Sequence, residues 1–184
     1  MNKEMFNKNT IMVLSYVSKT TPANKDCIAS KIAKNLGLSI GSVFEVLKNL
    51  NKIGLVNGTR IGRAIIYEPV RSHPMMKSFR VFDNLSELNE LVLSLKEYSR
   101  KIILFGSCSR GEDTLDSDID LFVLADDDKQ TQVRRLISEF DLDREIKPVI
   151  VDTHELMEMQ SSDKVFYQEI MKGIELWGEN NEYN

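Results

Sequence analysis

The segment Asp118-Ile-Asp-Leu-Phe-Val-Leu-Ala125 constrains this chain more than any other. Its run of apolar residues reads as a buried strand, yet the strand opens on two carboxylates. Alternation along a strand puts Asp118 and Asp120 on one face, about 7 Å apart, with Ile119, Leu121 and Val123 on the other. Adjacent carboxylates repel each other, and burying them unpaired is costly. A divalent cation relieves both problems, and hard oxygen donors of this kind suit Mg2+. The chemistry of the chain is therefore expected between Ile102 and Ala125.

Upstream, the short strand signal Ile102-Ile-Leu-Phe105 runs into Gly106-Ser-Cys-Ser-Arg-Gly-Glu112. Gly106 permits close backbone approach, and Ser107 offers a hydroxyl and an N–H to a phosphate. Arg110 can add charge-assisted bonds to the same phosphates. Gly106 and Gly111 have the spacing of a Walker A loop, but Glu112-Asp113 stands where Lys-Ser/Thr is needed. No G-x-G-x-x-G follows a strand and no G-x-S-x-G is present, which disfavours a Rossmann site and a Ser107–His154 hydrolase pair.

The net charge of -4 conceals a division. Residues 1–73 carry 11 Lys and Arg against 4 Asp and Glu, whereas residues 74–184 carry 13 against 24. Such asymmetry indicates two domains with different partners, the basic one suited to a polyanion. Two cysteines cannot form a disulfide framework, and two histidines supply a zinc site poorly. Apolar runs of about five residues fall far short of the roughly twenty that span a bilayer. With no apolar stretch after Met1 to act as a secretory signal, the chain is expected to be cytoplasmic.

In the basic part, apolar spacing predicts helices over 10–19, 25–36 and from Ser39 onward. Ile40, Val43, Phe44, Leu47 and Leu50 form the apolar stripe expected of the third helix, opposite Ser42, Glu45, Lys48 and Asn49. Two β-like runs, 54–59 and 64–68, flank Arg60-Ile-Gly-Arg63. Three helices followed by a basic hairpin is the winged helix-turn-helix plan, and residues 8–70 resemble winged-helix bacterial and archaeal regulators in Ser39-Ile-Gly-Ser-Val-Phe-Glu-Val-Leu-Lys-Asn-Leu-Asn-Lys-Ile-Gly-Leu-Val56. On that plan Ser39, Ser42 and Lys48 face the major groove of double-stranded DNA, and Arg60 and Arg63 reach phosphates. The competing expectation is a winged helix used for dimerisation or protein contact. His73-Pro74 is expected to break the chain after the wing, and Ser86 to Tyr98 to form an amphipathic helix.

The stretch Leu104-Phe-Gly-Ser-Cys-Ser-Arg-Gly-Glu-Asp-Thr-Leu-Asp-Ser-Asp-Ile-Asp-Leu121 resembles the signature of minimal nucleotidyltransferases of the DNA polymerase β superfamily. The resemblance covers residues 85–178 and implies a small mixed sheet flanked by helices, binding a nucleoside triphosphate and Mg2+. It implies Asp118 and Asp120 as catalytic metal ligands, Gly106 and Ser107 as triphosphate ligands, and Arg110 as a further phosphate contact. It also implies a third carboxylate on a later strand, where this chain has Lys147; Glu145 and Asp152 are the nearest substitutes.

The expected whole is an α+β protein of three parts: a winged helix-turn-helix domain over 1–73, a linker and connecting helix over 74–100, and a nucleotidyltransferase-like domain over 101–184. It would bind DNA and transfer a nucleoside monophosphate to an acceptor hydroxyl, working as a homodimer away from membranes. The alternative is a transcriptional regulator or antitoxin with a weak transferase domain beside a protein partner. Asp126 to Asp128 are read as capping a helix over 128–140, and His154 as starting one over 155–160. Cys27 is read as buried and Cys108 as accessible to thiol reagents; Phe166, Ile170, Ile174 and Trp177 space like one helical core face.

Overall fold

The computed structural model describes residues 7–20 and 27–179, in two compact units whose boundary falls after Arg80. In the first unit, helices α1 (Lys8–Ser18), α2 (Ala29–Leu36) and α3 (Ile40–Lys52) precede an antiparallel pair, β1 (Val56–Ile61) and β2 (Ala64–Pro69). The side chains of Asn7 and Ser39 accept the N–H groups of Thr10 and Ser42 and so cap α1 and α3. α2 stops at Gly37, whose φ of 65° lies in the left-handed region that a side chain would resist. Val13, Leu14, Val17, Ile32, Val43, Leu47 and Leu50 then close one core against Leu55, Val56 and Tyr67.

Three expectations change here. α2 begins at Ala29 because Ile28 is extended and bridges Ile66 of β2; Lys25 lies outside the described residues. The α3 stripe is centred on Val43, Val46, Leu47 and Leu50, so Ile40 and Phe44 fall on its edge and are 58% and 42% exposed. Residues 74–95 form a single helix, α4 (Pro74–Leu95), followed by a 3-10 turn over Lys96–Tyr98. Pro74 starts that helix instead of merely ending the wing, because at the first helical position its missing N–H costs nothing.

The second unit is built on a four-stranded mixed sheet in the order β5-β4-β3-β6. β3 (Lys101–Phe105) pairs antiparallel with β4 (Ile119–Leu124) and with β6 (Ile174–Gly178), while β5 (Ile146–Val151) runs parallel to β4. A parallel neighbour needs a crossover, and α6 (Asp127–Glu139) supplies it. Ile102, Leu104, Ile119, Leu121 and Val123 pack with Leu88, Leu91 and Leu95 of α4 and Val133 and Ile137 of α6. Ile103, Phe105, Phe122 and Val151 face the other way, toward α7 (Thr153–Ser162) and α8 (Lys164–Met171). Strands buried on both faces read as continuous apolar runs, as these do.

α7 is capped by Asp152, which exchanges hydrogen bonds with Glu155 in a capping box, so the helix starts ahead of His154. The expected single face of Phe166, Ile170, Ile174 and Trp177 is split: α8 ends at Met171 and β6 starts at Ile174. Gly173 makes the switch, since a Cβ there would strike the Leu104 carbonyl. Among the described residues no helix is long and apolar enough to cross a membrane.

Leu47 is fully buried in the first unit, and Leu47→Ala should cost about 2–5 kcal/mol there through reduced apolar burial and a residual cavity. Amide exchange in α1 to α3 should accelerate accordingly, with exchange in β3 and β4 unchanged.

Candidate functional site

β3 delivers Gly106 directly beside the carboxylate end of β4, because Phe105 and Asp120 are register partners. Gly106 has φ of +67°, and a Cβ at this position would run into the Asp120 carboxylate. Conformation and space thus exclude any side chain. α5 (Gly106–Arg110) is a single tight turn, closed by a 2.8 Å bond from the Ser109 hydroxyl to the Gly106 carbonyl. Ser107 is half-buried within it. Ser117 accepts the Thr114 N–H at 2.8 Å and so shapes the turn that leads into Asp118.

The parallel register of β4 and β5 pairs Asp120 with Lys147, and the Lys147 ammonium forms an ion pair with Asp118. Burial, and then the charge of Asp118, push the Asp120 carboxyl above its ordinary range. The bond to Asp118 raises the Lys147 ammonium, with smaller contributions from Glu145 and Asp120. Of the two substitute carboxylates, Asp152 is occupied in capping α7, and Glu145 lies just ahead of β5. Among the described residues no group of three or more His, Cys, Asp or Glu is placed to hold a metal. Asp118 and Asp120 are hard oxygen donors of the kind that suits a divalent cation, and two carboxylates alone would leave most of its positions to other ligands.

A buried polar network fixes the α5 turn from behind. Arg144, 8% exposed, donates to Asp113 at 2.9 Å, to Asn84 at 2.8 Å and to Glu87 at 2.6 Å. Asn84 in turn donates to Asp113 at 3.1 Å and to the Cys108 carbonyl at 3.0 Å. The head of β5, α4 and the α5 turn are thereby held by one guanidinium and one amide. Sequence reasoning passed over Asn84 and Asp113. The available signal was that Asn84 falls on the same helical stripe as Leu88, Leu91 and Leu95, where an amide must find buried partners.

The other expected site residues are divided between the two units. The Arg110 guanidinium is engaged by Glu112 at 3.2 Å and Glu169 at 2.6 Å, so it ties α5 to α8. Cys108 is fully buried, contrary to its expected accessibility; burial and then the Asp113 charge raise its thiol to about 11. A buried, protonated thiol is a poor nucleophile. In the first unit, Ser39 and Lys48 are exposed on α3, and Arg60 and Arg63 are exposed on the β1–β2 hairpin. Ser42 is half-buried and accepts a 3.0 Å bond from Asn9 of α1, which turns it toward the groove between α1 and α3.

The glycine turn thus lies against Asp120 of β4, with Asp118 just ahead of that strand. Residues 85–174 match the family model described as a nucleotidyltransferase domain. The match supports a nucleotidyltransferase domain within the second unit and, at that general level, a nucleotidyl-transfer function. Neither the curated proteins nor the solved structures compared with the chain give a match.

Arg144→Met should destabilise the second unit by about 3–5 kcal/mol, because it removes the cation that compensates the buried Asp113 carboxylate. The double variant Arg144→Met/Asp113→Asn should recover much of that stability. Urea unfolding followed by the fluorescence of Trp177, the single tryptophan, reads both.

Proposed function

We propose that the chain is a DNA-binding nucleotidyltransferase that moves a nucleoside monophosphate from a nucleoside triphosphate to an acceptor hydroxyl. The observation that carries this reading is the approach of Gly106 to Asp120, with Asp118 alongside, within the stretch that matches a nucleotidyltransferase domain. The Gly106-Ser107 turn would receive the triphosphate, while Asp118 and Asp120 would hold a Mg2+ shared with its oxygens. Bound there, the ion supplies charge neutralisation on the transferring phosphoryl group. Arg110 joins these contacts only by releasing Glu112 or Glu169.

The first unit is proposed as a winged helix-turn-helix domain that binds double-stranded DNA. Its support is the succession of three helices and an antiparallel hairpin, with Lys48, Arg60 and Arg63 exposed on α3 and the hairpin. Ser39 adds to the proposed interface and Ser42 joins it only by releasing Asn9, and a homodimer on a two-fold operator is the arrangement such a domain favours. A cytoplasmic location goes with these partners. The second reading is a transcriptional regulator or antitoxin in which transfer is weak, with a toxin or other acceptor protein as partner. The ion pair of Lys147 with Asp118, at the place where a third carboxylate was expected, favours that reading.

Calorimetric titration with ATP and GTP should show Mg2+-dependent binding to the wild type. The Asp118→Asn/Asp120→Asn variant should lose it, and equal binding by both would refute the site. Replacing Lys48, Arg60 and Arg63 by Ala should weaken duplex DNA binding and lower the slope of log K against log salt by about 0.9 for each phosphate no longer neutralised. An unchanged slope would remove these residues from the interface.

A further inference from the structure

We propose that the Lys147 ammonium is a built-in cation of the nucleotide site: it holds Asp118 in the free protein and passes to the triphosphate oxygens when a nucleotide enters. The site then takes a nucleoside triphosphate with a single divalent cation. This rests on the nucleotide site proposed above and adds to it the ion stoichiometry and the role of one residue.

The backbone fixes where this charge sits. Lys147 is the register partner of Asp120 in adjacent parallel strands, so their side chains leave the same face of the sheet. The ammonium is drawn to Asp118 and leaves Asp120 against Gly106. One positive charge therefore already balances two negative ones in part, and a single further cation satisfies the remainder. A second divalent ion would meet an ammonium where it needs a carboxylate.

The geometry also permits the exchange. The Lys147 and Asp118 side chains are 57% and 37% exposed, and an ion pair so open to water contributes little and parts readily. A lysine is a compact point charge on a flexible stem, suited to following a phosphate over a few ångströms. Triphosphate oxygens offer it several acceptors in place of one carboxylate. Asp118, freed by the same movement, becomes available to the incoming cation.

The test uses the full chain, Mn2+ as the divalent probe and the α,β-methylene analogues of ATP and GTP, which are not cleaved at the reacting bond. Electron paramagnetic resonance of free Mn2+ counts the ions bound. The wild type should bind one Mn2+ per nucleotide, and Lys147→Asp should bind two. Two ions on the wild type, or one on Lys147→Asp, would overturn the proposal. Lys147→Met provides a second measurement on a conservative, exposed substitution. Its affinity for the analogue without metal should fall about tenfold, the size of one charge-assisted bond, while its affinity for Mn2+ alone rises. A merely structural lysine would move both affinities in the same direction or neither, and that result too would overturn the assignment. Absence of analogue binding in every protein, with or without Mn2+, would instead sink the nucleotide site itself, and the Lys147 role with it.

Discussion

The buried guanidinium of Arg144 is the interaction on which the second unit depends. A charge with so little access to water survives only if it is paired and its donors are used, and here Asp113, Asn84 and Glu87 take them. The three partners come from α4 and from the chain just after α5, while Arg144 itself stands at the entrance to β5. The short α5 turn is held on one side by the burial of Cys108 in the core and on the other by this network, through the Cys108 carbonyl. Gly106 meets Asp120 through the register of β3 with β4 and its own lack of a side chain, and the network holds the turn that follows.

A contrast follows between the back and the front of the site. Behind α5, Arg144, Asn84 and Asp113 are buried and hydrogen-bonded to one another. In front, Asp118 and Lys147 are wet and Asp120 is only partly covered, so the charges there can change partners cheaply. A site that binds and releases a polyanion needs both properties: a fixed frame to define the geometry and exchangeable charges to receive the ligand.

What could be read from the sequence was what local spacing encodes. Asp118 and Asp120 lie on one strand, and Gly106 closes the strand before it, so alternation and a glycine sufficed to bring them together. The Arg144 network was illegible for the opposite reason, since Arg144 lies 31 to 60 positions from its side-chain partners Asp113, Glu87 and Asn84 and meets them only through the tertiary fold. Two periodicities also misled. Phe166, Ile170 and Ile174 keep a helical interval across what is a helix end and a strand start, because an interval of four suits a strand face as well as a helix face. Pro74 carries two meanings, breaker and first helical residue, and only the length of α4 decides between them.

The parallel pairing of β4 with β5 has a consequence for how the unit assembles. β3 and β4 are joined through residues 106–118, which include α5, whereas β5 reaches β4 only through the α6 crossover. Until β5 docks, the two aspartates, already neighbours along β4, have no compensating charge from an adjacent strand. Docking of β5 sets Lys147 beside them at the same moment as it extends the sheet. Closure of the sheet and neutralisation of its acidic end are one event, so a chain that stalls before that step is left with an open strand edge beside an unneutralised pair of charges.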